Sequence, residues 1–118
     1  MDIRTNKVIS EYIATVAAQN KGLLKAYLFG SYAKKTERPD SDIDLALIID
    51  NLVDEERFDL QVQLMLLASD FDIRIEPHPI SNKDFNFNNP FVAEIIKTGI
   101  EIKLLAPNSW YNYKTKAV

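Results

Sequence analysis

The sequence predicts a mixed α+β fold, in which helices pack on a small mixed sheet of about four strands. Two observations lead to this prediction. Some segments place apolar residues at helical spacing and others alternate with period two, and the segments follow the order α-β-(α)-β-α-β-α-β. Glycine, proline or a polar stretch separates most of them. Such an order indicates a layer of helices on one sheet.

The N-terminal half predicts one long helix and two strands. Thr5 is the expected N-cap of a helix over about 5–20, and Gly22 is its expected C′ glycine. The run LLKAYLFG alternates around large apolar residues and predicts a strand. The run DIDLALII predicts a second strand, and residues 31–41 between the two are expected to form a short helical piece and a loop.

The C-terminal half predicts two more helices and two more strands. Asp54 is the expected cap of a helix running to about Ser69, whose later turns LMLLA indicate burial or an interface. The run FDIRIEPHP alternates and predicts a third strand, and its prolines favour a sheet edge or the end of the strand. Asn89 and Pro90 begin the last helix, and IEIKLL predicts the last strand.

Composition limits the class of protein. The 118 residues suggest one domain over 1–105 followed by a tail, 106–118, whose Trp110, Tyr111 and Tyr113 are expected to make packing contacts. The chain has no cysteine, no signal-like N-terminus and no long apolar run, which favours the cytoplasm and no membrane span. The net charge of -3 gives no strong sign of a nucleic-acid binder.

Two acids, Asp42 and Asp44, lie at the start of the predicted second strand, directly in front of its apolar run. Residues two apart on a strand point to one face, with side-chain roots about 7 Å apart. Two carboxylates at this spacing can share one divalent cation or hold two, and Mg²⁺ prefers such oxygen ligands. Metal charge would offset the repulsion between the two acids.

Other interpretations of the acid pair compete with a metal site. An isolated acid-x-acid pair is more often a polar turn with a surface side chain. An EF-hand loop is excluded because Leu45 takes the position of its invariant glycine and Asn51 that of its last glutamate. Gly30 and Ser31 favour the metal site, since a glycine and a helix start on the preceding strand can hold a phosphate.

The stretch FGSYA and the later DID, with ten residues from Tyr32 to Ser41 between Gly-Ser and DID, resemble the nucleotidyltransferase superfamily of DNA polymerase beta. Their form is similar to the minimal nucleotidyltransferase branch. The resemblance implies that Asp42 and Asp44 bind Mg²⁺ and that Gly30 and Ser31 bind the phosphates of ATP or another nucleoside triphosphate. Many relatives have glycine at the position of Lys35. We expect Lys35 either to change the loop shape or to add a cation for the triphosphate, as Lys34 or Arg38 could.

The resemblance also implies a third carboxylate from a neighbouring strand. Alternation along FDIRIEPHP places Asp72, Arg74, Glu76 and His78 on one face. Glu76 fits the family pattern best, with Asp72 as the alternative, and would bind the metal or deprotonate the acceptor. A salt bridge is the structural alternative for Glu76. His78 is the only histidine, and a lone histidine is more often structural than catalytic.

The function implied by the resemblance is transfer of a nucleoside monophosphate to an acceptor hydroxyl, with release of pyrophosphate. The acceptor, a small molecule or a protein, is not readable from the sequence. Small relatives act as antitoxins beside helical partners of the HEPN type. The alternative function is therefore a toxin-antitoxin interaction protein that binds such a partner, with catalysis secondary or absent. We expect a homodimer or a complex with a helical protein.

Overall fold

The computed structural model describes residues 2–104, so the expected tail over 106–118, with its aromatic residues, lies outside the described part. The helices are α1 Ile3–Gln19, α2 Ser31–Lys34, α3 Asp54–Ser69 and α4 Pro90–Thr98. The strands are β1 Leu23–Phe29, β2 Ile43–Ile49, β3 Ile75–Ser81 and β4 Ile100–Ile102, and a short 3-10 helix, Asn82–Asp84, follows β3. The predicted fold class and order of elements are confirmed.

The four strands form one sheet in the order β3-β2-β1-β4. Strand β2 is antiparallel to β1 and parallel to β3, and β4 is antiparallel to β1. The proline-containing strand β3 lies at an edge, as predicted, which suits Pro77 and Pro79 because neither has an N–H to give to a further strand. The start of β2 therefore lies between the end of β1 and the start of β3.

Helices cover both faces of the sheet. One face of β2 packs with α1 and α3 through the alternating residues Ile43, Leu45, Leu47 and Ile49. The opposite face packs on α4, where Ala46 and Ile48 contact a cluster that includes Val92 and Ile95. The predicted division of β2 into two faces is confirmed. Asp44 lies on the α4 face by the same alternation.

The ends of α1 differ from the prediction. Asp2, not Thr5, is the N-cap, and its side chain accepts a hydrogen bond from the Thr5 N–H at 2.7 Å. Thr5 itself is buried. The helix ends at Gln19 with Asn20 as its C-cap, so Gly22 is not the C′ residue; the Gly22 N–H donates to Oδ1 of Asn20. Short polar side chains at both ends thus replace the expected cap and glycine.

Helix α3 begins one residue earlier than a cap at Asp54 requires. Val53 is the N-cap and makes no side-chain cap, so Asp54 is the first helical residue. Its carboxylate instead forms an ion pair with Arg57 one turn later, at 3.1 Å. Asp54 and the two acids after it still lie at the positive end of the helix dipole, which they stabilise.

Only one side of α3 is buried, so of the two expectations from its apolar turns, burial is wrong and an interface stays a prediction. Leu64 and Ala68 face the core, and the hydroxyl of Tyr12 on α1 donates to the Leu64 carbonyl at 2.8 Å. We call the outward apolar side the exposed α3 face, and it consists of Phe58, Val62, Met65 and Leu66. Within residues 2–104, no helix is both long and apolar enough to cross a membrane.

The third strand begins later than predicted. Residues 71–74 form a turn, and β3 starts at Ile75 and continues to Ser81. The prediction that Asp72 and Arg74 share a strand face with Glu76 is therefore wrong. The Asp72 carboxylate accepts hydrogen bonds from the backbone N–H and the guanidinium of Arg74, and these contacts close the turn.

Candidate functional site

Strand register brings the candidate acids together at the start of β2. Asp44 lies beside Phe29 of β1 on one side and beside Glu76 of β3 on the other. Directly paired strand residues share a face, so the Asp44 and Glu76 side chains both point to the α4 side. Asp42 lies immediately before β2. The site is thus built where three strands meet, from residues 32 positions apart in the chain.

Gly30 brings the backbone close to Asp44. Its φ of 73° and ψ of -148° lie in a region that residues with a side chain rarely adopt. A Cβ at this position would stand 2.5 Å from Oδ2 of Asp44. Both the dihedral angles and the space therefore require glycine. This close approach leaves the backbone beside the carboxylates open to a ligand.

The Gly-Ser motif leads into the single helical turn α2. Ser31 is its first residue, and its carbonyl accepts from the Thr36 N–H at 2.9 Å. Lys35 follows the turn with φ 59° and ψ 35°, the left-handed conformation that glycine favours. The backbone at Lys35 thus takes a conformation that a glycine would adopt without strain, and its side chain is exposed. Among the neighbouring cations, Lys34 is engaged with Glu94 of α4 at 3.4 Å.

The acids form a cluster with His78. One ligand atom from each of Asp44, Glu76 and His78 can be chosen so that all three lie within 4.8 Å of one another. The His78 Nε2 stands 3.2 Å from Oδ1 of Asp44 and 4.0 Å from Oε1 of Glu76. Asp42, immediately before β2, lies near enough to this cluster to raise the pKa of Glu76. Asp44, Glu76 and His78 therefore converge, with Asp42 next to them.

The electrostatics of the cluster disfavour three ionised acids. Burial raises the pKa of Glu76, and the hydrogen bond with Asp42 and the charges of Asp44 and Asp42 raise it further, while His78 acts in the opposite direction. Within residues 2–104, no lysine or arginine forms an ion pair with these acids. A divalent cation would relieve the repulsion, and the carboxylate oxygens with one imidazole are a donor set that fits such an ion.

Asp72, the alternative third acid, lies outside the cluster. It forms a bidentate ion pair with Arg74, whose guanidinium also donates to the hydroxyl of Tyr32 at 2.9 Å. The hydrogen bonds from Arg74 lower the pKa of Asp72 against a smaller opposing effect of burial. The geometry therefore places Glu76, and not Asp72, beside Asp44. The catalytic role of Glu76 stays a prediction.

Sequence reasoning missed two features of the site. His78 was expected to be structural, although its position two residues after Glu76 already put it on the same strand face. The rings of Phe29 and Phe91 were not considered; they pack against His78 with centroids 5.1 and 6.1 Å away, and 5.5 Å from each other. The sequence feature that points to Phe29 is its position directly before Gly30.

A polar cleft continues from His78 along the edge of the sheet. Its volume is about 450 Å³, and its lining includes Arg57 and Gln61 of α3, Asn88, and Phe91 of α4. The Gln61 amide donates to the Pro77 carbonyl, and Arg57 is held by Asp84. The cleft reaches the cluster at His78, and its lining includes none of Asp42, Asp44 and Glu76.

Comparison with known proteins agrees with this arrangement. A family model described as polymerase beta, nucleotidyltransferase matches residues 11–105. The chain is 30% identical over 115 residues to a Methanocaldococcus jannaschii protein named as a candidate protein adenylyltransferase, MJ1305, with 92% of this chain and 77% of the relative covered.

Solved structures show the same fold. A candidate nucleotidyltransferase from Sulfolobus solfataricus has a TM-score of 0.61 at 22% identity, covering 84% of this chain and 79% of the other. A toxin-antitoxin structure with AMP-PNP has a TM-score of 0.57 at 23% identity, and a variant of the toxin-antitoxin MntA-HpeT has 0.55 at 21%; each covers 86% of this chain and 78% of the other. The chain therefore belongs to the polymerase beta nucleotidyltransferase family, in agreement with the minimal branch that its sequence resembles.

Proposed function

We propose that the protein transfers a nucleoside monophosphate from ATP, or another nucleoside triphosphate, to an acceptor hydroxyl and releases pyrophosphate. Asp42, Asp44 and Glu76 hold Mg²⁺, and Gly30 and Ser31 bind the β- and γ-phosphates. The bound cations supply positive charge to the attacking and leaving oxygens. The name of the Methanocaldococcus relative, an adenylyltransferase, supports an adenylyl group as the one transferred.

The observation that carries this proposal is the side-by-side placement of Asp44 and Glu76 next to Gly30. Strand pairing fixes the two acids on one face, and the glycine keeps the phosphate-binding turn within contact of Asp44. Glu76, on the strand next to Asp44, is suited to accept the proton from the acceptor hydroxyl as the hydroxyl attacks the α-phosphate. Lys35 is free to add its charge near the departing pyrophosphate, because its side chain points to solvent.

Labelled ATP tests the reaction without knowledge of the acceptor. The protein is incubated with a cell extract, Mg²⁺ and ATP labelled on either the α- or the γ-phosphate. Transfer of the α-label, but not the γ-label, to an acid-stable product is the expected result. The Asp42→Asn/Asp44→Asn double variant serves as the control and should give no product. Transfer of the γ-label, or equal α-transfer by the variant, would contradict the proposal.

A second function, binding and neutralising a helical partner protein of the HEPN type, is supported by the exposed α3 face. Phe58 is 74% exposed and Leu66 is 66% exposed, and both lie on the same side of the helix. Two of the similar structures are described as toxin-antitoxin structures. The alternative is that a second copy of the chain binds this face and forms a homodimer.

Light scattering and co-purification with the neighbouring gene product separate these occupants. Phe58→Ser/Leu66→Ser should abolish the complex while leaving the acid cluster intact. A monomer at high protein concentration, with no partner bound, would count against both forms of the interaction.

A further inference from the structure

We propose that His78 is a nitrogen ligand for one of the two cation positions, so that this position prefers Mn²⁺ to Mg²⁺. The inference rests on the proposed function, since it assumes that the acid cluster binds divalent cations. It goes beyond that function because it assigns a chemically different ligand and a different preferred metal. The three ligands are Asp44 Oδ1, Glu76 Oε1 and His78 Nε2.

The distances between these atoms match those expected of ligands on one ion. With metal–ligand bonds of about 2.1 Å, neighbouring ligands of an octahedral ion are about 3.0 Å apart and opposite ligands are about 4.2 Å apart. The separation from His78 Nε2 to Asp44 Oδ1 is 3.2 Å, and that from Nε2 to Glu76 Oε1 is 4.0 Å. Both separations from His78 Nε2 therefore already fit ligands of one octahedral ion.

Packing fixes the imidazole in this orientation. Phe29 meets the ring nearly edge-on with a centroid distance of 5.1 Å, and Phe91 lies 6.1 Å away on α4. The backbone of His78 is paired with Ala46 in the parallel part of the sheet. The side chain is only 25% exposed. A surface histidine would lose rotamer entropy on binding a metal, whereas this ring is already held toward the acids.

The chemistry of the ligand atoms decides which metal ion binds more tightly. Mg²⁺ is bound almost entirely through oxygen, and it gains little from an imidazole. Transition metals accept imidazole readily, and Mn²⁺ also accepts carboxylates and water. Two carboxylates and one imidazole therefore suit Mn²⁺ better than Mg²⁺. Asp42, which lies near Glu76 but outside the triad, remains available for an oxygen-bound Mg²⁺ at the second position.

The sequence makes a direct spectroscopic test possible, because His78 is the only histidine in the chain. Tag-free protein is loaded with one equivalent of Mn²⁺ and examined by electron spin-echo envelope modulation, with unlabelled and with ¹⁵N-histidine-labelled protein. We expect imidazole nitrogen modulation that changes with the isotope and is absent in His78→Gln. Calorimetry should show Mn²⁺ affinity falling about tenfold or more in His78→Gln, with Mg²⁺ affinity changing less than threefold.

The outcomes separate this inference from the function on which it rests. Mn²⁺ binding without nitrogen modulation, or with equal affinity in His78→Gln, overturns the role of His78 and leaves the nucleotidyltransferase proposal standing. Absence of saturable binding of either metal, with or without ATP, overturns both. Asp44→Asn keeps His78 and should lose Mn²⁺ affinity as well. Circular dichroism melting shows whether each variant is folded before its metal affinity is compared.

Discussion

Two acids four residues apart, Asp72 and Glu76, have opposite environments. Asp72 lies in the turn before β3 and is neutralised by Arg74, which lowers its pKa. Glu76 lies on β3 and faces Asp42 and Asp44, and burial and these acids raise its pKa. One carboxylate stabilises the fold by itself, while the other is destabilising until something neutralises the cluster.

The difference shows how a site is distinguished from a structural ion pair on physical grounds. The Asp72–Arg74–Tyr32 contacts satisfy their own hydrogen bonds and need no ligand. The acid cluster has no cationic side chain as partner among residues 2–104, apart from the titratable His78. Local rules of stability are commonly violated where a protein binds or reacts. The following variants test whether the two regions really differ in this way.

Asp44→Asn is expected to have the largest effect. The substitution keeps the shape of the side chain but removes the charge that binds the cation, so transfer should fall about a thousandfold or more. The melting temperature in EDTA should not fall, because one of several neighbouring like charges is removed. Pyrophosphate release and thermal melting measure the two effects. Release at the wild-type rate would show that Asp44 is not a ligand.

Glu76→Gln and Asp72→Asn form a matched pair. We expect Glu76→Gln to lower turnover about a hundredfold or more, the size of a lost general base, with less effect on the dissociation constant of ATP. Asp72→Asn should leave turnover nearly unchanged, because its carboxylate contacts Arg74 and not the cluster. Steady-state kinetics with ATP as the varied substrate distinguish the pair. The reverse pattern would place the third carboxylate at Asp72.

The free energy of unfolding should respond in the opposite order, with Asp72→Asn losing more stability than Glu76→Gln. Asp72→Asn removes a charge-assisted bidentate contact and should lower the free energy of unfolding by about 1–2 kcal/mol at pH 7. The pKa of Asp72 is lowered in the folded state, so its contribution is present above the unfolded pKa and is lost as the pH falls through the folded pKa. Urea unfolding at pH 7 and at pH 3 should therefore show that the wild-type protein and Asp72→Asn differ less in unfolding free energy at the lower pH. An equal difference at both pH values would contradict the ion-pair explanation.

Lys35 gives the smallest predicted effect. Lys35→Gly relieves a left-handed backbone but makes the unfolded chain more flexible, and the net gain in unfolding free energy should be about 0.5–1 kcal/mol. ATP affinity should fall if the lysine contacts the triphosphate. Lys35→Asn is a useful control because asparagine tolerates the same conformation and also lacks the charge. A loss of stability in Lys35→Gly would show that the side chain makes a favourable contact.

The sequence predicted the parts of this molecule that depend on local pattern. Alternation along β2 separated the core residues from Asp44, and Gly30 marked the close approach of the backbone. The start of β3 was misplaced because FDIRIEPHP alternates throughout, while the Asp72 side chain closes a turn that alternation does not reveal. The contact between His78 and Asp44 follows from the pairing of two strands 34 residues apart in the chain, which no local pattern contains.

The central claim is that the acid cluster is a cation-dependent nucleotide site. Isothermal titration of ATP into the protein, in Mg²⁺ and again in EDTA, tests it most directly, with the Asp42→Asn/Asp44→Asn variant as control. The account predicts saturable binding in Mg²⁺ and a loss of at least tenfold in affinity in EDTA, because the carboxylates then repel the triphosphate. The variant should bind equally weakly in both buffers. Equal affinity of the wild-type protein with and without the cation would contradict the account.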